Sequence, residues 1–145
     1  MDLDPADVQK VITGWFPGEL GIEIVAAGQE RACGRLTAER RHLHPGGLVH
    51  GGVWVALADT VAAWSTIPNL PEGHDFSTAE MKVNLFGVAR EGDVLEAESL
   101  PLHVGRRTQV WEVRVSVGER LGALFVCTQV LVATNQPRAR PSARS

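Results

Sequence analysis

The sequence predicts an α+β domain, an antiparallel sheet wrapped around one buried helix, on three observations. The run "VWVALADTVAAW" is apolar almost all round, with Asp59 and Thr60 its only polar members. A helix of that composition is buried on most of its sides. Four later runs alternate with period two and follow one another closely, which argues an antiparallel meander. There is no internal repeat and no alternation of strand with helix, which disfavours a doubly wound parallel sheet.

The elements follow in chain order. "DPADVQKVITGWF" reads as a short helix with Asp4 as N-cap, Pro5 in its first turn, and Val8, Val11, Ile12 and Trp15 at helical spacing. "GWFPGELG" breaks it. Extended segments over 21–27 and 30–39 form a hairpin at Gly28. The apolar helix runs from about Gly51 to Ser65 and stops before Pro68. In "STAEMKVNLF", Ala79, Met81, Val83 and Leu85 alternate with Glu80, Lys82 and Asn84. "DVLEAESLPLHV" follows a Gly92–Asp93 turn, "TQVWEVRVSV" places Trp111, Val113, Val115 and Val117 on one face, and "GALFVCTQVLVA" closes the series.

With 145 residues the chain has the size of one domain, over residues 1–136, in which 1–19 form an N-terminal helix and turn. Residues 137–145 are expected to be a disordered basic tail. A composition of 44% hydrophobic and 21% charged residues is that of a soluble globular protein. No apolar run approaches the roughly 20 residues of a membrane span. The acidic start lacks the features of a signal peptide, so a cytoplasmic protein is expected. The formal charge is −3, and Arg138, Arg140 and Arg144 in the tail leave the body three charges more acidic still. Such a body argues against nucleic acid as a partner. Cys33 and Cys127 lie in strand-like runs without CxxC spacing and read as two buried free thiols rather than a disulfide.

The chemistry concentrates in "HPGGLVHGGVWVALAD", residues 44–59. A helix starting near Gly51 presents unpaired backbone N–H groups and a positive dipole end, suited to a developing oxyanion. Gly51 and Gly52 lack Cβ atoms, so a carbonyl can approach that backbone closely. Asp59 is a carboxylate on a helix otherwise read as buried, where desolvation raises its pKa toward that of a base or nucleophile. His44 and His50 can each polarise a carbonyl or hold a water. Gly51 and Asp59 stand eight residues apart, about 12 Å along a helix at 1.5 Å per residue. One carbonyl cannot touch both on the same helix. If both act, two antiparallel helices of a two-fold dimer must face each other. The plainer alternatives are a helix-entry turn at the glycines and a solvated or dimer-rim aspartate. His42, His44, His50 and His74 have poor spacing for zinc, and Ser65 and Ser77 lack a G-x-S-x-G elbow, so neither a metal nor a serine triad is expected.

Taken together, "HGGVWVALADT" and "STAEMKVNLFGVAREGDVLEAESLPLHVGRRTQVWEVRV" resemble the hotdog-fold acyl-CoA thioesterases of the PaaI-like branch, related to one group of 4-hydroxybenzoyl-CoA thioesterases. The resemblance covers roughly residues 20–133. It implies that the Gly51 N–H polarises the thioester carbonyl and that Asp59 of the facing subunit attacks it or activates water. The family usually carries Asn or Gln six residues before the motif histidine; here that position is His44. The hydroxyl that holds the hydrolytic water matches Thr78, with Ser77 beside it if the loop shifts by one. The turn Gly105, Arg106 and Arg107 matches the region that meets the phosphates of coenzyme A, and an arginine fork suits phosphate. Gly52 and Ser77 join the substrate-binding set. The resemblance also implies a homodimer, assembled further into a homotetramer, and no cofactor beyond the CoA of the substrate.

Two other readings compete. Hotdog dehydratases of 3-hydroxyacyl thioesters use a histidine in an H-x-P-G-like loop and an acidic residue about fourteen positions later. "HPGG" at His44 with Asp59 fifteen residues on comes near that pattern. A non-catalytic acyl-CoA-binding protein is the third. The acyl group is left open: Trp54 and Trp64 either line an aromatic pocket or belong to the core.

Overall fold

The computed structural model describes residues 2–136; the tail expected over 137–145 lies outside them. Its elements are α1 (Pro5–Ile12), α2 (Phe16–Glu19), β1 (Glu23–Ala27), β2 (Ala32–Thr37), α3 (Gly51–Thr66), β3 (His74–Leu85), β4 (Val94–Val104), β5 (Thr108–Val117) and β6 (Arg120–Ala133). The six strands form one sheet in the order β1-β2-β4-β5-β6-β3, every neighbour antiparallel. The sheet holds α3 against one face, in contact with all six strands. Leu57, Ala58, Val61 and Ala62 of the helix are buried with Leu36, Leu95, Trp111, Val113, Val115 and Phe125 of the strands. This is the α+β architecture of a sheet around a central helix that the apolar run predicts.

The meander is only partly realised. β4, β5 and β6 follow one another, but β3 pairs with β6 at the far edge rather than with β4. The physical reason is that β2 already occupies the free side of β4, from Ala32 opposite Ser99 to Thr37 opposite Val94. The return to β4 runs through residues 86–93 and is pinned on the way. The Phe86 and Gly87 N–H groups donate to the Gly122 carbonyl, the Val49 N–H to that of Ala89, and the Ala38 N–H to that of Asp93.

Close packing decides one glycine. A Cβ on Gly122 would sit 2.5 Å from the Trp54 ring, so this strand position admits the indole only because it carries no side chain. Trp54 therefore belongs to the core.

The N-terminal helix is shorter than its spacing suggests. Asp4 caps it by accepting from the Ala6 N–H at 2.9 Å, Pro5 opens it, and Val8 and Ile12 are buried. It ends at Ile12 because Thr13 turns to extended backbone and Gly14 takes a positive φ of 79°. Trp15 consequently leaves the helical stripe and is 71% exposed. The segment read as a plain break contains α2, with Pro17 in its first turn. Gln9 ties α1 to the sheet, donating to the Ile22 carbonyl at 3.2 Å and accepting from the Ile24 N–H at 3.1 Å.

Both cysteines are free, but only Cys127 is buried. Strand alternation puts Ala32 and Gly34 of β2 toward the core and Cys33 on the outer face, half-buried, where the Arg31 Nε–H lies 3.2 Å from its sulfur. Among the described residues no helix is long and apolar enough to cross a membrane.

Candidate active site

The segment before α3 is a tight turn that aims its histidines differently. The His44 N–H donates to the Leu48 carbonyl and its carbonyl accepts from Gly47, both at 2.9 Å. Its ring Nδ1 accepts from the Gly46 N–H at 2.9 Å, and its Nε2 has no hydrogen-bond partner among the described residues. Gly47, at φ 81°, supplies the left-handed residue the turn needs. His42 serves the fold instead. It is 1% exposed, its Nδ1 accepts from the Glu39 N–H at 2.9 Å, and its Nε2 lies 2.8 Å from the Leu20 carbonyl. One ring nitrogen thereby closes the local turn at Glu39, and the other ties that turn to Leu20 at the end of α2.

His50 is the N-cap of α3, and its Nδ1 accepts from the Gly52 N–H at 2.9 Å. The Val53 N–H donates to the His50 carbonyl at 2.9 Å. The two glycines thus differ. The Gly52 donor is consumed by the cap, whereas the Gly51 N–H has no acceptor among the described residues. Gly51 is half-buried beneath Leu85, whose Cδ1 would lie 3.2 Å from a Cβ at this position.

Asp59 lies on the same unbroken helix, about 12 Å further along. It borders a cleft of about 580 Å³ lined by Val11, Ile12, Trp15 and Pro17 on one side and Thr60, Ala63, Trp64 and Ile67 on the other. Among the described residues, Asp59 is the sole charged member of that lining. Thr60 donates its hydroxyl to the Ala56 carbonyl at 2.7 Å and so offers the cleft little polarity. Burial pushes the Asp59 carboxyl above its ordinary range, opposed only in part by the Thr78 hydroxyl 3.3 Å away. A carboxylate raised in this way is a stronger base and nucleophile than one in water.

The place of Thr78 rests on a bulge in β3. Thr78 pairs with Gln129, Glu80 pairs with Thr128, and Ala79 is the extra residue between them. Ala79 therefore does not share a face with Met81, Val83 and Leu85, as simple alternation had it; Thr78 does. Phe76 and Thr78 turn toward α3, while Ser77 points to the opposite face and is exposed.

Gly105, Arg106 and Arg107 form the turn between β4 and β5, closed by the Gly105 N–H on the Thr108 carbonyl at 2.9 Å. Both arginines are exposed. Gln109, two residues past Arg107, faces Gln129, which in turn faces Thr78. The basic turn therefore stands at the same end of the sheet as Thr78, about 7 Å along the strand from that rung.

Of the residues expected from the sequence, the structure gathers His44, His50, Gly51 and Gly52 at one end of α3 and puts Asp59 and Thr78 in contact further along. Sequence reasoning passes over two groups. The wall formed by Val11, Ile12, Trp15 and Pro17 depends on how α1 and α2 fold back, which no local pattern states. Gln129 is 0% exposed and its Oε1 accepts from the Thr78 hydroxyl at 2.9 Å. A signal for it did exist: it is the one amide on the inward face that Ala123, Phe125, Cys127 and Leu131 otherwise keep apolar.

Comparison with known proteins gives this geometry a lineage. Residues 46–123, more than half of the chain, match the thioesterase superfamily. A putative esterase of Haemophilus influenzae is 34% identical over 100 residues, which cover 69% of this chain and 72% of that protein. The crystal structure of a thioesterase from the same organism superposes with a TM-score of 0.85 at 26% identity, covering 92% of this chain and 93% of the other. A variant of the phenylacetic acid degradation protein PaaI from Thermus thermophilus gives 0.75 at 26% identity, covering 79% and 96%. The chain belongs to the thioesterase superfamily and is a hotdog-fold thioester hydrolase related to PaaI.

Proposed function

We propose that the enzyme hydrolyses an acyl-CoA to a carboxylic acid and free CoA at composite sites shared by two subunits. The observation that carries this reading is the lone carboxylate of Asp59, raised by burial, at the wall of an apolar cleft. The acyl chain lies between Trp15 and Trp64, with its carbonyl against the Gly51 N–H of the partner subunit. Asp59 attacks the carbonyl carbon or deprotonates a water that does so. Negative charge collects on the carbonyl oxygen, where the N–H and the helix dipole stabilise it. The C–S bond then breaks and the thiolate of CoA leaves and takes up a proton. If Asp59 itself attacks, water cleaves the resulting anhydride; in either route one water is consumed.

The other residues have supporting places. Thr78 bonds to Asp59 or to the water. His50 and Gly52 hold the helix start in shape, and His44 offers Nε2 where relatives offer an amide. Ser77, Gly105, Arg106 and Arg107 meet the CoA portion, with the arginines on its phosphates. The dimer forms along β3, which lies at the sheet edge and, with the segment that follows it, exposes Met81, Leu85, Phe86 and Val88. A long edge strand with an apolar border is a ready template for pairing.

The test is thiol release from a panel of aromatic and aliphatic acyl-CoAs. Turnover with apolar acyl groups that fit a cleft of about 580 Å³ supports the reading. No release from any member by a folded dimer overturns it and directs attention to the dehydratase reaction. His44→Asn is expected to keep or raise kcat, since asparagine restores the family amide; complete loss with unchanged CoA binding would show that the imidazole has its own role.

A further inference from the structure

We infer that Gln129 is a positioning residue of this site, one that sets through Thr78 how much hydrogen bonding Asp59 receives. The inference rests on the proposed role of Asp59 but stands on separate geometry. Thr78 carries one hydroxyl proton and faces two acceptors, Gln129 Oε1 at 2.9 Å and Asp59 Oδ1 at 3.3 Å. It cannot serve both. The shorter contact goes to the amide, so Gln129 competes with Asp59 for the Thr78 hydroxyl. The amide is held in place by its surroundings. It is fully buried, on the rung opposite Thr78, with its Nε2 3.5 Å from the Cys127 sulfur. That arrangement turns Oε1 toward the hydroxyl.

The competition has a direction. When Asp59 is neutral, the Thr78 proton rests on Gln129, and the Asp59 O–H can donate to the Thr78 oxygen. When Asp59 ionises, the hydroxyl is drawn to the carboxylate and leaves Gln129 Oε1 without its donor, an unfavourable state for a buried amide. Gln129 thus favours neutral Asp59 and keeps the ionised form poorly solvated and reactive. The groups that its own chain packs around Asp59 leave this contest undisturbed. α1 and the segment through α2 present Val11, Ile12, Trp15 and Pro17, and α3 itself presents Thr60, Ala63 and Trp64. β3 presents Thr78, and β6 presents Gln129 and Cys127, with Gln109 and Trp111 of β5 behind them. Cys127 is the one titratable group among these, and burial, with the charge of Asp59 second, pushes its thiol up to about 12. It stays neutral where Asp59 titrates. In the proposed dimer, His44 and His50 of the partner subunit complete the surroundings.

The experiment follows the Asp59 carboxyl carbon by 13C NMR against pH in the full chain, with the signal assigned by Asp59→Asn. Gln129→Met and, as a second apolar replacement, Gln129→Leu free the hydroxyl for Asp59, and the midpoint is expected to fall by about half a pH unit or more. Thr78→Val removes the donor, and the midpoint is expected to rise. Combined with Thr78→Val, the Gln129 change is expected to do nothing more. A merely structural Gln129 would alter Tm without this opposed pair of shifts. The wild type gives a reading that no folding defect can spoil: the Gln129 side-chain NH2 signals are expected to move with the Asp59 midpoint, and to stop doing so in Thr78→Val. A flat Gln129 signal, an unmoved or raised midpoint in a folded Gln129 variant, or a shift that persists without Thr78 overturns the inference. None of these readouts needs turnover. Linked titration without thiol release refutes only the proposed function, and thiol release with unlinked titration refutes only the role of Gln129.

Discussion

Asp59→Asn is expected to lower kcat for thiol release by about 10²–10⁴-fold while the protein remains folded and dimeric. Asparagine keeps the size of the side chain and an acceptor for Thr78 but can neither attack nor take a proton. The same substitution makes a second, opposite prediction about stability. The folded pKa of Asp59 lies above its ordinary value of 3.8, so over that interval the folded chain binds more protons than the unfolded one. Stability therefore falls as pH rises from about 3.8 through the folded pKa, and the whole penalty is present above that folded pKa. Asparagine carries no such penalty. Its Tm should exceed that of the wild type above the folded pKa, with the difference vanishing below about pH 3.8. A dead but more stable enzyme is the signature of a carboxylate retained for chemistry. Near-normal kcat would remove Asp59 from the reaction.

Gly51→Pro is expected to reduce kcat by about 10²–10³-fold, the usual effect of deleting one oxyanion donor. The substitution is unusually clean here. Gly51 is the first residue of α3, where proline is well accommodated because its missing N–H has no helical partner. The preceding His50 is extended, at φ −62° and ψ 139°, as a residue before proline prefers. The new Cβ would press on the Leu85 Cδ1 at 3.2 Å, the far end of a flexible side chain. The Gly52 N–H keeps its bond to His50, so the cap survives. A folded Gly51→Pro enzyme with unchanged kcat would place the oxyanion elsewhere.

These predictions turn on residues that differ in how far the sequence reveals them. Asp59 and Gly51 are legible because helical periodicity is local: a carboxylate in an apolar helix and glycines at its start announce burial and an open N-terminus. The six strands are legible for the same reason, since alternation records one buried face. The order of the sheet is not, because the choice of β6 over β4 as neighbour to β3 depends on β2 having filled the other edge. Thr78 and Ser77 were separable only through the bulge at Ala79, which inverts the phase of β3 without a glycine or proline to mark it. Trp15 illustrates a third limit. Its helical spacing places it on the buried stripe of α1, yet the turn at Thr13 and Gly14 carries it out to the rim of the cleft.

The central claim is that each active site takes Gly51 from one chain and Asp59 from the other, as a separation of about 12 Å on one helix requires if both act on one carbonyl. A heterodimer of Gly51→Pro and Asp59→Asn chains, purified through two different tags, tests it directly. Each homodimer is expected to retain no more than about a hundredth of the wild-type activity. In the mixed dimer one site combines both defects, whereas the other combines an intact Gly51 with an intact Asp59. Thiol release at about half the wild-type rate per dimer is the predicted result. A verified heterodimer as inactive as its parents would contradict the shared site and return both residues to a single chain.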